Sequence, residues 1–139
     1  MNPKQATVND VLLFSLREYY DNGYLIPITS KQDVPFNMKR IFYVSGVHDN
    51  VSRGNHAHKL CSQVLVALEG TLDVFCYDGT NHREIVLDKR NLALLVPKGI
   101  WSHEIYRKDT ALLVMCDHIY DPKEYIKDLD EYEEWKRKE

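Results

Sequence analysis

No stretch of this sequence approaches the ~18 consecutive apolar residues that a membrane-spanning helix requires. The opening residues, "MNPKQATVND", lack the basic-then-apolar layout of a secretion signal. Cysteine is scarce. Cys61, Cys76 and Cys116 are odd in number and share no CxxC spacing, which argues for reduced thiols in a cytoplasmic protein rather than a disulfide framework. A basic excess is also missing: the formal charge is −3, whereas a nucleic-acid binder would carry a basic stripe. What remains is a 139-residue chain, 44% hydrophobic and 28% charged, with the composition of a soluble globular protein. That length predicts one domain over residues 1–139 with a substantial core. Cys76 and Cys116 lie within apolar runs and are expected inside it.

The apolar residues recur in short segments separated by turn residues. "TVNDVLLFSL" and "GYLIPI" read as strands, with Asp21-Asn22-Gly23 as the turn before the second. "MKRIFYVSGV" alternates, the loop "HDNVSRGN" follows, and the next strand carries His56 and His58. "QVLVALEG" and "TLDVFCYDG" are expected to form a hairpin about Glu69-Gly70, and Asp78-Gly79 marks a turn before "REIVL". Pro97-Lys98-Gly99 joins "LALLVPKG" to "SHEIY", and "ALLVMCDHIY" is the last strand. Strands of this kind predict an all-β sandwich or barrel. The tail "DPKEYIKDLDEYEEWKRKE" differs. Asp121 as N-cap, Pro122 at the first helical position and Glu124 in a capping-box position predict a helix. Tyr125, Leu129 and Tyr132 recur at helical spacing and would pack it on the barrel.

Two of the six histidines stand one residue apart in "RGNHAHK", Arg53 to Lys59. On a strand, residues i and i+2 share a face, so His56 and His58 would stand side by side. Such a pair can ligate a metal, handle protons or grip an anion. Four residues separate His58 from Gln63, and six separate Gln63 from Gly70; Pro97-Lys98-Gly99 is followed by His103. This order resembles the two motifs of the cupin superfamily. Gln63 stands where a glutamate is usual, and His103 comes one residue late. The resemblance implies a double-stranded β-helix, the cupin jelly roll, with the motif residues inside and a C-terminal helix added.

"FNMKRIFYVSGV", "RGNHAHKLCSQVLVALEG" and "DHIYDPKEYI" resemble, more narrowly, the nucleotide-sugar 3,4-ketoisomerases. That resemblance implies a dTDP-linked keto-deoxysugar as substrate. Its keto group would move from C4 to C3 on the way to a 3-amino-3,6-dideoxysugar, with no metal or other cofactor. It implies His58 as base, His56 as its partner, Tyr24 near the sugar, and a homodimer exchanging the N-terminal strand "VLLFSL". The chemistry suits the residues. A keto shift takes a proton from C3 and delivers one to C4 through an enediol or enediolate. Histidine is a base of suitable strength, and the enediolate oxygen needs a donor aimed at it.

Gln63, neutral, is a poor ligand for a transition metal, which assigns it to hydrogen bonding and the histidine pair to proton chemistry. A metal site of His56, His58 and His103, as in a metal-dependent oxygenase, is the alternative; a deoxysugar epimerase and a non-catalytic sugar binder are others. A diphosphate calls for Arg or Lys at the barrel mouth, and the resemblance implies Arg53 and Arg40 there, while Lys59 has the parity that points away from the pocket. Phe42 and Tyr43 alternate, so one of them faces inward, and Tyr43 enters the candidate set. Trp101 and Tyr106 are core aromatics or walls of the sugar site. Trp101 and His103 complete the candidates; His48, His82 and His118 are given no role.

Overall fold

Strands that alternate apolar and polar residues give a sheet one face to bury, and two such sheets bury theirs against each other. The computed structural model, which describes residues 1–138, has twelve strands among them. They are β1 (Leu12–Ser15), β2 (Tyr19–Tyr20), β3 (Tyr24–Leu25), β4 (Arg40–Val44), β5 (Val51–His58) and β6 (Gln63–Glu69). β7 (Leu72–Tyr77), β8 (His82–Leu87), β9 (Leu92–Val96), β10 (Trp101–Tyr106), β11 (Ala111–Cys116) and β12 (Tyr125–Ile126) follow, and helix α1 spans Leu129–Arg137. One antiparallel sheet has the order β1-β9-β6-β11-β4 and the other β12-β5-β10-β7-β8. Leu65, Leu94 and Val114 from the first meet Leu72, Val74 and Leu87 from the second in the main core. This is the expected jelly roll with a C-terminal helix. Among the described residues no helix is long and apolar enough to cross a membrane. All three cysteines are buried and free.

Three local expectations change. The Glu69-Gly70 turn does not close a hairpin, because β6 and β7 belong to opposite sheets. It is a crossover, and Gly70 (φ +80°) is needed there, since a Cβ would lie 2.4 Å from Thr110 Oγ1. Crossovers and hairpins share the same local signal, a glycine turn between apolar runs. The Asp78-Gly79 turn is a true hairpin, joining β7 to β8. "TVNDVLLFSL" opens with a single 3-10 turn, Val8–Asp10, whose capping box uses Thr7 and Asp10. Its strand is only Leu12–Ser15, paired with β9 of the same chain.

The tail is not one helix. Asp121 caps a 3-10 turn at Pro122–Glu124, and the chain then adds β12 to the edge of β5, pairing Tyr125 with His58 and Ile126 with Ala57. The glutamate expected to close a capping box contacts His58 instead, which pulls the segment onto the sheet. α1 begins afterwards, with Asp128 accepting from the Glu131 amide. It packs Tyr132 against Ala57, Trp101 and Ile126 on the outer face of the second sheet.

Candidate active site

Arg53 and His56 are three residues apart, so simple alternation would put them on opposite faces of β5. The pairing with β10 shows why it does not. Glu104 opposes Arg53, His103 opposes Gly54, and Ser102 opposes His56, so Asn55 has no partner. Gly54 (φ +94°) and Asn55 (φ +60°) form a β-bulge that returns His56 to the face of Arg53. Only glycine fits its first position. A Cβ on Gly54 would lie 2.7 Å from Glu104 Oε2 and 3.1 Å from the His103 Cα. The Arg-Gly-x-His run is therefore a bulge that aims two functional groups into the barrel.

The cavity they face is lined by Arg53, His56, Gln63, Glu104, Tyr106 and Tyr125 among apolar side chains that include Phe42 and Leu65. His58 lies one step deeper, 7% exposed, with its ring 4.9 Å from His56 and 4.3 Å from Tyr125. Its Nδ1 contacts Glu124 Oε2, while Glu124 Oε1 accepts from the Leu60 and Cys61 amides at 3.0 Å each. Burial raises the Glu124 carboxyl, but the His58 contact and those amides outweigh it and hold the group below its ordinary pKa. A carboxylate only accepts, so in the neutral imidazole Nδ1 carries the proton and Nε2 keeps the lone pair. That Nε2 is buried without a hydrogen-bond partner. Burial, with His58 beside it, pushes His56 down to about 4, so it is neutral at physiological pH. Burial pushes Glu104 up to about 7, against the pull of Arg53.

Residues 9–137 match the protein family described as "FdtA: WxcM-like, C-terminal". The chain belongs to this family. It is 34% identical over 115 residues to the TDP-4-oxo-6-deoxy-alpha-D-glucose-3,4-oxoisomerase of Aneurinibacillus thermoaerophilus, covering 81% of this chain and 82% of that one. It superposes on QdtA, a sugar 3,4-ketoisomerase from Thermoanaerobacterium thermosaccharolyticum solved with TDP, with a TM-score of 0.90. That match has 28% identity and covers 94% of this chain and 97% of the other. The WlaRB TDP-quinovose 3,4-ketoisomerase of Campylobacter jejuni aligns at 32% identity and TM-score 0.87, covering 91% and 99%.

Within this FdtA-family chain the candidate residues divide. Arg53, His56 and Gln63 line the cavity, with Gln63 Nε2 donating to Cys116 Sγ at 3.5 Å. Arg40 shares the inner parity of β4 with Phe42, its guanidinium 4.5 Å from the Phe42 ring and 5.0 Å from that of Tyr120. Tyr43 is 73% exposed on the outer face, because Phe42 takes the inward position. Tyr24 is exposed on the small β2–β3 ribbon, with the Arg90 guanidinium 4.1 Å from its ring.

Trp101 lies on the outer face of the second sheet beneath α1. His103 is on that face too, stacked 4.7 Å from Phe75. The inward positions of β10 go to Ser102, Glu104 and Tyr106, so the late spacing of His103 turns it out of the barrel. The three histidines do not converge, and no group of three or more His, Cys, Asp or Glu among the described residues could hold a metal ion. Sequence reasoning missed Glu104, Glu124 and Tyr125. Glu104 alternates with His103, and a parity count from the apolar β10 residues was the signal available for it. For Glu124 and Tyr125 no local signal existed, because their partners are more than 60 residues away.

Proposed function

We propose that this chain is a 3,4-ketoisomerase acting on dTDP-4-keto-6-deoxyglucose, which supplies the 3-keto sugar from which a 3-amino-3,6-dideoxysugar is made. The observation that carries the reading is the His58–Glu124 pair, which leaves Nε2 as a base without a partner beside a cavity lined by polar groups. Glu124 orients the ring, fixes its tautomer and stabilises the imidazolium formed when Nε2 takes the C3 proton. His56, neutral and 4.9 Å away, relays a proton or donates to the enediolate oxygen. A proton that has exchanged with solvent, delivered at C4, completes the shift. Arg53 and Arg40 hold the diphosphate, and Gln63 and Tyr125 hydrogen-bond the sugar. The active form is a cytoplasmic homodimer of single-domain chains that exchange β1.

The test is proton NMR of dTDP-4-keto-6-deoxyglucose with the protein in D2O. The 3-keto isomer is expected, with deuterium at C4. His58→Asn keeps size and hydrogen bonding but removes the base, and should lower turnover about 10²–10⁴-fold with loss of exchange at C3. Normal C3 exchange in that variant would remove His58 as the base.

A further inference from the structure

Alternation turns Trp101 and His103 of β10 and Phe75 and Tyr77 of β7 out of the barrel, paired as Trp101 with Tyr77 and His103 with Phe75. β8 adds His82 opposite Tyr77. Cross-strand neighbours on one face lie within reach of each other, and these rings stack. His103 lies on Phe75 at 4.7 Å with 9° between the planes, and His82 on Tyr77 at 4.4 Å with 18°. Together with Asn55 of the bulge and Leu129 at the start of α1, they line a cleft of about 580 Å³. Small-molecule sites typically measure roughly 300–1,000 Å³ and combine apolar walls with a few polar groups. The catalytic cavity lies on the other face of this sheet, and the two share no lining residue.

One cation reaches this cleft. Lys127, exposed between β12 and α1, lines it and enters no ion pair among the described residues. No Asp or Glu among those residues lines it; Glu84 stands opposite Phe75 on β8 but outside the lining. We propose that the cleft is a second binding site, and that it takes a planar aromatic ring carrying one carboxylate. The ring lies against the stacked Phe75–His103 and Tyr77–His82 pairs, whose flat faces favour another flat face. The carboxylate goes to the Lys127 ammonium, with the Asn55 amide as a neutral donor beside it. Burial lowers the His103 imidazole, which keeps it a stacking surface rather than a second charge. An aliphatic acid meets the charge and forgoes the stacking, and a neutral aromatic does the reverse. β1 belongs to the other sheet, so its exchange between two copies leaves this face as it stands. The inference does not depend on the isomerase reading.

The experiment is calorimetric titration of wild type and Lys127→Glu with 1-naphthoate, with neutral naphthalene-1-methanol and with cyclohexanecarboxylate, each repeated in saturating TDP. Wild type should bind one 1-naphthoate per chain, and each comparison compound at least about tenfold more weakly. TDP should leave that affinity unchanged. Lys127→Glu should weaken 1-naphthoate by at least about tenfold while leaving naphthalene-1-methanol within a few-fold. Absence of 1-naphthoate binding up to millimolar concentration overturns the inference. So does displacement by TDP, which would put the naphthoate in the barrel, or equal affinity in Lys127→Glu. If Lys127→Glu fails to fold, the three compounds on wild type decide alone, and a neutral or aliphatic compound that matches 1-naphthoate overturns the inference. A protein that does not bind TDP counts against the isomerase reading only, and the compound series and Lys127→Glu still decide this one.

Discussion

Glu124 shows how one side chain can set the chemistry of another. Its Oε1 is committed to two amides, so in Glu124→Gln the amide oxygen stays there and the NH2 faces His58. An NH2 donates, which forces Nδ1 to accept and moves the imidazole proton to Nε2. The base is then lost with the fold intact. The expected outcome is a kcat about 10²–10⁴-fold lower with KM and thermal unfolding little changed, checked by steady-state kinetics and calorimetry. His56 and Glu104 make a second prediction because their protons act oppositely on stability. His56 falls to about 4 on folding, so the unfolded chain binds the proton first and stability is lost as pH drops through the ordinary histidine range toward 4. Glu104 rises to about 7, so the folded chain binds the proton and stability is lost as pH rises from the ordinary carboxyl range toward 7. Each slope is at most about 1.4 kcal/mol per pH unit. Relative to wild type, His56→Asn should lose stability as pH rises between 4.5 and 6.5, and Glu104→Gln should gain it, read from urea midpoints at each pH.

At the scale of elements, the bulge on β5 carries the site. Gly54→Ala puts a Cβ against Glu104 and the His103 backbone at a φ of +94°. It should destabilise by about 1–3 kcal/mol and lower activity by turning Arg53 or His56 away from the cavity. Asn55→Gly, one residue on at φ +60°, relieves the same backbone and should hold stability within about 1 kcal/mol. Urea unfolding of both variants separates them. The bulge also explains what was legible in the sequence. The strands and the side-by-side His56–His58 pair follow from alternation, and the jelly roll from the resemblance of the motifs to the cupins; all of these signals are local. Parity across an irregularity is not. One extra residue on β5 and one on the Pro97–His103 spacing decided that Arg53 faces in and His103 faces out. The sequence reads as helix across β12 because the caps on either side of it are genuine. What overrides them is an unpaired edge of β5 and a buried histidine seeking a carboxylate, both of them long-range.

For the whole molecule, the proposed homodimer has uncovered apolar surface to cover. β1 and β4 are the two edges of the first sheet. β1 exposes Leu12 and Leu13, which point to opposite faces, and β4 exposes Ile41 and Tyr43. Edges with unpaired backbone and large apolar side chains are templates for strand pairing, and a strand exposed on both faces is stabilised when a partner covers it. A homodimer that exchanges β1 supplies that cover and keeps the register, since β1 would pair with the partner's β9 as it now pairs with its own. Sedimentation at micromolar concentration should give a dimer, and Leu13→Glu should shift it to monomer. Leu12 lies opposite Leu95 in the register, so the double variant Leu12→Cys/Leu95→Cys reports the exchange directly. Oxidised, it should run as a covalent dimer on a non-reducing gel. Closure within one chain, with no covalent dimer, would rule out the exchange while leaving dimerisation itself to the sedimentation result.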